Sequence, residues 1–302
     1  MQRLNWPYIL KLTSVAVIAI LLAVLFLLAE TSRRIVTHLT VWDCPQPVRT
    51  PADVGFIDYR AIEIEVQPDQ NLTAWYIPSQ NGAAVLELQG HWTARDGRLP
   101  EATLLSKYGY GVLLLDPHPC LGPNVPHTMG HDEVADVAAA IEFLRRQPDV
   151  TDGRIGIHGF SMGDVIAVES AARNPYIQAV IAEGNFHDLT VNITPRGVEN
   201  GIIGNLVRFF TMFFYQYYTG LDPELVNPIE SIPQISPRPV LLIAGEGEAS
   251  ENHTLAQFEA AGQPKELWIV PEVGHGGYGQ RWPEDYEAKI MEFFNQYLLA
   301  PQ

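Results

Sequence analysis

The segment Ile155-Gly-Ile-His-Gly-Phe-Ser-Met-Gly163 is the most informative part of this sequence, and it continues directly into Asp164-Val-Ile-Ala-Val-Glu-Ser-Ala-Ala172. A short apolar run typical of a buried strand is followed by small residues typical of a helix. Between them, the pattern Gly159-x-Ser161-x-Gly163 predicts a sharp turn, because side chains two residues before and after the serine would collide there. The N-terminus of the following helix points its free N–H groups at this turn, which favours a negatively charged oxygen. Since a pentapeptide alone is a weak signal, the surrounding sequence decides its meaning.

The composition predicts a globular protein without nucleic-acid chemistry. The chain has 302 residues, 47% of them apolar and 18% charged, which is enough for one large α/β domain or two small ones. Its net charge of −16 argues against nucleic acid, because phosphate binding needs clustered Lys and Arg. The two cysteines, Cys44 and Cys120, do not support a disulfide scaffold or a zinc site, and their pairing depends on the compartment. Oligomeric state stays open.

The first thirty residues predict a membrane anchor. Leu12 to Ala29 is an 18-residue run in which only Thr13 and Ser14 are polar. As a helix it would span about 27 Å, close to the thickness of a bilayer's hydrocarbon core. A cleaved signal peptide and a buried core helix are the alternatives, but the exit from the run is a poor cleavage site and no polar face exists. The basic residues on the two flanks, Arg3 and Lys11 against Arg33 and Arg34 offset by Glu30, favour a cytoplasmic N-terminus with the rest of the chain outside.

The remaining chain alternates strands and helices. Residues 31–60, with three prolines, are predicted as a linker, and residues 61–302 as one domain. Eight strands are predicted at 62–66, 72–77, 84–88, 111–115, 154–158, 177–182, 239–244 and 266–270, and the first two form a hairpin. Helices are predicted at about 99–108, 132–146, 255–261 and 283–298. This alternation predicts an α/β fold with a mostly parallel sheet covered by helices on both faces.

Two loops after later strands carry the partners that a serine nucleophile needs. A serine hydroxyl reacts once a base removes its proton, and a carboxylate orients that base. The loop after the seventh strand holds Glu246, Glu248 and Glu251, and Gly274-His275-Gly276 follows the eighth. Because the carboxyl ends of parallel strands share one edge of the sheet, Ser161, an acid and His275 are expected there in that chain order.

With these motifs, residues of about 60–298 resemble the α/β-hydrolase superfamily, and most closely bacterial serine hydrolases related to serine aminopeptidases and membrane-tethered esterases. The similar features are Gly-Phe-Ser-Met-Gly after the fifth strand, Gly-Tyr-Gly-Val-Leu-Leu-Leu-Asp around the fourth, and Gly-His-Gly after the eighth. The resemblance implies the α/β-hydrolase fold, an eight-stranded mostly parallel sheet with a small cap inserted at about 186–232.

The resemblance also assigns roles to individual residues. Ser161 matches the nucleophile, His275 the general base, and Glu248 the position of the acid, where relatives more often have aspartate. The rival acids are Glu246, Glu251 and, after the sixth strand, Asp188. The backbone N–H groups of Met162 and His91 match the donors of an oxyanion hole.

Three departures from the family pattern bear on activity. Gln89 stands where relatives usually have histidine, and the loop Asp116–Pro123 lacks the usual arginine. Asp164 replaces a glycine, and a carboxylate about 7 Å from a developing oxyanion would disfavour it by roughly 2 kcal/mol at an effective dielectric of 20. That effect shrinks if Asp164 faces solvent or caps N–H groups in the first helical turn.

The segment 202–218 lies in the predicted cap and is rich in aromatic residues, with Arg208 as its only charge. Its aromatic residues are Phe209, Phe210, Phe213, Phe214, Tyr215, Tyr217 and Tyr218. One interpretation is a cap helix packed on the core; the other is an apolar acyl pocket or a face that enters the membrane. The remaining histidines show no metal-ligand spacing and are expected in loops or the core.

Together these features predict a membrane-anchored serine hydrolase that cleaves an ester, or less readily an amide, through an acyl-enzyme on Ser161. The expected substrate is a small acyl compound, lipophilic if the cap forms an acyl pocket, and no metal or cofactor is expected. An aminopeptidase-type peptidase is the second hypothesis, and an inactive binding module of the same fold is the third.

Overall fold

One eight-stranded sheet organises most of the chain. The computed structural model describes residues 6–184, 189, 201–247 and 254–299. The strands are β1 (Arg60–Gln67), β2 (Gln70–Ile77), β3 (Ala84–Leu88), β4 (Gly111–Leu115), β5 (Ile155–Phe160), β6 (Ala179–Glu183), β7 (Val240–Gly245) and β8 (Lys265–Val270). Their order in the sheet is β1-β2-β4-β3-β5-β6-β7-β8. β1 and β2 form an antiparallel hairpin, β2 pairs antiparallel with β4, and all other neighbours are parallel.

The predicted fold class is confirmed, and burial explains the sequence pattern. Every residue of β3, β4 and β6 is buried. Strands covered on both faces need apolar side chains at nearly every position, so β4 is a continuous apolar run and β3 and β6 each contain a single glutamate. β1 is an edge strand and alternates exposed with buried or partly buried positions instead.

The helices are α1 (Trp6–Thr40), α2 (Leu99–Lys107), α3 (Glu133–Arg145), α4 (Met162–Arg173), α5 (Gly201–Thr219), α6 (Pro228–Ser231), α7 (Thr254–Ala260), α8 (Tyr278–Arg281) and α9 (Pro283–Phe294), which ends in a π-helical turn (Asn295–Leu299). Short 3-10 helices occur at Pro51–Val54, Arg95–Arg98, His118–Leu121, Pro223–Leu225 and Ile232–Ile235. The chain divides into two compact units. One contains α1 and α5, and the other contains the sheet and the remaining helices.

α1 is longer than the predicted anchor. It continues without a break to Thr40, so the predicted boundary at residue 30 lies inside the helix, and the first ten residues of the predicted linker 31–60 are helical. The helix continues because residues 31–40 contain no proline or glycine, and the first proline after it is Pro45. Among the described residues, α1 is the one helix long and apolar enough to cross a membrane, as an anchor or a signal sequence would be.

Cys44 and Cys120 form a disulfide with an S–S distance of 2.00 Å. The bond ties the segment that follows α1 to the 3-10 helix after β4. The sequence alone does not decide whether the two cysteines pair, and in the structure they are bonded to each other.

Candidate active site

Ser161 occupies a strained turn between β5 and α4. Its φ of 56° and ψ of −114° are unusual for a residue with a side chain. Any side chain at Gly159 would overlap the carbonyl oxygen of Gly163, and any side chain at Gly163 would overlap that of Leu88. The Ser161 N–H donates a hydrogen bond of 2.7 Å to the carbonyl oxygen of Glu183 at the end of β6. The two glycines therefore permit the turn that the pentapeptide predicted, and the sheet edge holds it.

His275 lies beside Ser161. Its Nε2 atom is 2.8 Å from the Ser161 Oγ atom, which is hydrogen-bonding distance. Two close approaches confine the ring: a Cβ at Gly184 would lie 2.8 Å from His275 Cε1, and the Phe160 ring centroid lies 5.1 Å from that of His275. The structure thus brings together the serine and the histidine that the sequence singled out.

Of the four predicted acids, Glu248, Glu251 and Asp188 lie outside the described residues. Glu246 is described: its carboxylate is exposed and accepts a hydrogen bond of 3.2 Å from the backbone N–H of Glu272. That contact directs Glu246 towards the backbone of the loop after β8.

The predicted oxyanion donors flank the serine. Met162 is the first residue of α4, so its N–H belongs to the free N-terminal set of that helix. His91 follows Gly90, where an added Cβ would lie 3.5 Å from the Ser161 Cβ. Gln89 fixes the start of this loop, because its Nε2 donates to the carbonyl oxygen of Leu115 at 3.0 Å.

The His91 side chain belongs to an aromatic cluster. Its ring centroid lies 4.2 Å from that of Trp92, 5.4 Å from Trp42 and 4.9 Å from His127. Trp42 lies two residues before the disulfide, so the crosslink holds the segment that covers this loop. The His91 ring is therefore packed among three aromatic neighbours.

Asp164, and Asp116 in the loop that lacks the usual arginine, are both buried. Asp164 is fully buried in the first turn of α4, which excludes the alternative that it faces solvent. Asp116, in the loop after β4, forms a buried ion pair with Arg95. An arginine therefore does contact this loop, although it comes from the 3-10 helix before α2 and not from the position that relatives use.

A cavity of about 650 Å³ opens next to the serine and the histidine. This size suits a small-molecule ligand. Its apolar lining includes Trp92, Pro100, Leu104, Phe160, Tyr278 and Tyr286, and its acidic lining includes Glu101, Glu183 and Glu287. The cavity can therefore hold a compound of modest size beside Ser161 and His275.

A buried ion cluster beneath the cavity was not predicted. His158 is fully buried, with Nδ1 2.9 Å from Glu87 and Nε2 3.1 Å from Glu183. Arg98 contacts Glu87 at 2.8 Å and Glu101 at 3.4 Å. From the sequence, His158 is expected only as a core or loop histidine without an assigned role. The sequence feature that indicates such a cluster is an ionisable residue inside an apolar strand. Glu87 is that residue in β3, and His158 is that residue in β5.

The two carboxylates keep His158 protonated. Burial alone would lower the pKa of an imidazole, but the nearby Glu87 and Glu183 carboxylates outweigh it and raise the pKa of His158 to about 9. The imidazolium in turn lowers the pKa of Glu183, against the effect of burial. At neutral pH the cluster therefore holds a protonated His158 next to Glu87 and Glu183, with the Arg98 guanidinium as a second buried cation.

Comparisons with known proteins agree with this architecture. The model of the dienelactone hydrolase family matches residues 124–200. An uncharacterized protein of Mycobacterium tuberculosis is 30% identical over 239 residues, which cover 77% of this chain and 76% of that protein. Among solved structures, an esterase of Pyrococcus furiosus covers 85% of this chain and 100% of its own, with 22% identity and a TM-score of 0.67.

A dienelactone hydrolase of Anabaena variabilis has the same fold, with 20% identity and a TM-score of 0.57 over 80% of this chain and 98% of its own. At these identities the solved structures establish the fold, while the mycobacterial protein establishes a family relationship. The chain belongs to the α/β-hydrolase superfamily, in one family with its mycobacterial relative.

Proposed function

We propose that this protein is a serine hydrolase that cleaves an ester bond through an acyl-enzyme on Ser161. The contact that supports this most directly is the 2.8 Å separation of His275 Nε2 from Ser161 Oγ, at a strained turn beside an open cavity. A neutral imidazole at this distance can accept the hydroxyl proton as the oxygen attacks.

The proposed reaction has two halves. In the first, Ser161 Oγ attacks the acyl carbon, His275 takes the proton, and the imidazolium then gives that proton to the departing alcohol. In the second, a water molecule replaces the alcohol, His275 accepts its proton, and collapse of the second tetrahedral intermediate returns the proton to Ser161 and releases the acid. Both intermediates carry a negative oxygen, which the N–H groups of Met162 and His91 would stabilise.

Glu248 is our choice for the carboxylate that orients His275. Among the three glutamates of the loop after β7, Glu246 bonds the backbone of Glu272. Glu248 holds the position that the acid has in related enzymes, and Glu251 is the rival. Either would bond the imidazole nitrogen that faces away from Ser161 and stabilise its charged form.

We further propose that α1 is a retained anchor with the sheet-containing unit outside the cytoplasm. A helix that continues to Thr40 offers no extended segment after the apolar run for a signal peptidase to cleave. The Cys44–Cys120 disulfide supports an oxidising compartment, because such bonds are rare in a reducing cytosol.

A peptidase that binds a substrate amine is the second candidate, and the acidic cavity lining motivates it. These carboxylates already have cationic or hydrogen-bonding partners. Glu183 contacts His158, Glu101 contacts Arg98, and Glu287 accepts from Lys107 and Tyr108. Since a substrate amine would compete with these contacts, we favour the ester.

Fluorophosphonate labelling and hydrolysis of short-chain aryl esters test the proposal. We expect labelling of the wild-type protein and none of Ser161→Ala, with turnover in Ser161→Ala and His275→Gln reduced by about 10⁴-fold or more. Glu248→Gln should lose more activity than its matched neighbour Glu251→Gln. Wild-type labelling no stronger than that of Ser161→Ala would refute the hydrolase, and saturable ligand binding without labelling would favour the binding module. Faster turnover of aminoacyl amides than of esters would favour the peptidase.

A further inference from the structure

The helices α1 and α5 pack in parallel within one unit. The Ser32 hydroxyl donates a hydrogen bond of 3.3 Å to the carbonyl oxygen of Val207. Further along both helices, the Tyr218 hydroxyl bonds to Thr37. Because both residue numbers rise between the first contact and the second, the two helices run in the same direction.

The buried positions repeat with the same spacing in both helices. In α1 they are Ser32, Val36 and Thr40, and in α5 they include Val207, Thr211 and Tyr215. Residues four apart lie on one face of a helix, so these two rows face each other. The Ser32–Val207 contact joins residues whose numbers differ by 175, and the Thr37–Tyr218 contact joins residues that differ by 181. Each α5 residue therefore lies level with α1 residues whose numbers are smaller by 175 to 181.

This register places the first turn of α5 beside the end of the apolar run. Ile202 and Ile203 lie about 7.5 Å and 6 Å before Val207 along the axis, given 1.5 Å per residue. They are therefore level with residues 21–28, inside the run that ends at Ala29. In the same register Phe213 lies about 4 to 13 Å beyond the end of that run.

The first turn is apolar and uncovered. Ile202 is 80% exposed and Ile203 is 55% exposed. The neighbouring stretch of α1 is equally uncovered, with Phe26 at 68% and Leu27 at 62%. By the register above, these exposed apolar side chains lie at similar levels on two neighbouring helices, and side chains of this kind are expelled from water.

Arginines lie just beyond the apolar run. Arg33 and Arg34 both bond Glu30 at 2.7 Å. Basic residues just beyond an apolar span lie where lipid phosphates are expected.

We propose that the first turn of α5 inserts into the lipid bilayer beside α1, so that the unit has two membrane-inserted elements. This inference rests on the proposed retention of α1 as an anchor. The occupant of the exposed surface is the bilayer that surrounds Leu12 to Ala29, because the exposed apolar side chains of α5 lie level with that span.

Depth-dependent fluorescence quenching tests this in the full-length chain. Single thiols are introduced by Ile202→Cys, Phe213→Cys and Leu22→Cys, with the native disulfide left oxidised, and are labelled with an NBD fluorophore. The labelled proteins are reconstituted in vesicles of phosphatidylcholine and phosphatidylglycerol. Quenching is measured with a lipid nitroxide near the headgroup and with aqueous iodide. Phe213 is the matched control, because it is a large exposed apolar residue, 52% exposed, on the same helix.

We expect the label at position 202 to behave like the one at 22, quenched by the lipid nitroxide and shielded from iodide, and the label at 213 to show the reverse. A lipid-buried label at 22 with a water-exposed label at 202 overturns this inference alone. A water-exposed label at 22 overturns the anchor and this inference with it. Lipid quenching at 213 as strong as at 202 overturns the parallel register on which the depth assignment depends.

Discussion

The substitution Gly184→Ala is designed to displace the His275 ring and so to test whether its position matters for activity. Gly184 follows β6 with a φ of +73°, and it touches the edge of the imidazole ring. A methyl group there would lie 2.8 Å from Cε1 and 3.1 Å from Nδ1 of His275. Both distances are shorter than ordinary van der Waals contact, so the ring must move.

The size of the movement follows from the geometry. Relaxing the Cε1 contact from 2.8 Å to an ordinary 3.4 Å moves the ring by about 0.6 Å. Misplacement of a reacting group by about 1 Å can cost about 100-fold in rate, so we expect kcat to fall by about tenfold to 100-fold. Alanine in a left-handed conformation also costs about 1–2 kcal/mol of stability.

Gly55→Ala supplies the matched control, because Gly55 has a φ of +100° and nothing within 4 Å of an added Cβ. Both variants should lose similar stability in urea unfolding, while only Gly184→Ala loses ester turnover and fluorophosphonate labelling. If Gly184→Ala folds and is as active as Gly55→Ala, activity does not depend on the position of His275 in this structure. The proposed mechanism would then be refuted.

Three further predictions concern the fold around the site. The pKa of His158, about 9 in the folded chain against about 6.5 unfolded, gives stability that is complete below pH 6.5 and lost as pH rises through 9. We expect a loss of about 3 kcal/mol in denaturant unfolding, absent in His158→Gln, and a wild-type curve that stays flat would contradict the buried imidazolium. Cys44→Ser with Cys120→Ser should lower unfolding stability by about 4 kcal/mol, since the bond closes a sequence separation of 76 residues, and reductant should then have no effect on the double variant. Gly163→Ala should abolish labelling and cost about 1–3 kcal/mol through its overlap with the Leu88 carbonyl, and normal labelling would refute the turn geometry.

The sheet could be predicted from the sequence because strands that are buried on both faces have nearly continuous apolar sequences. β3 and β4 were predicted with the bounds they have, since an apolar residue is required at nearly every position of a covered strand. The turn at Ser161 was equally accessible, because the steric demand on Gly159 and Gly163 follows from local backbone geometry alone.

Features that depend on contacts between residues distant in the sequence could not be predicted in this way. The ion cluster joins β3, β5, β6 and the start of α2, and a single glutamate such as Glu87 does not show what it will meet. The end of α1 was missed because hydropathy marks where a membrane span stops, while the helix itself continues as long as its residues pack against α5.

The two residues Glu183 and Gly184 connect the cluster to the proposed chemistry. The Glu183 carbonyl accepts the Ser161 N–H, and its carboxylate contacts the charged His158 one strand away. The next residue, Gly184, lies against His275. The end of β6 therefore touches the proposed nucleophile, the proposed base and the buried cation at once. Because a buried charge is costly to separate from its partners, the cluster resists displacement of this strand end. We therefore expect the distance between Ser161 and His275 to depend on this ion cluster through the end of β6.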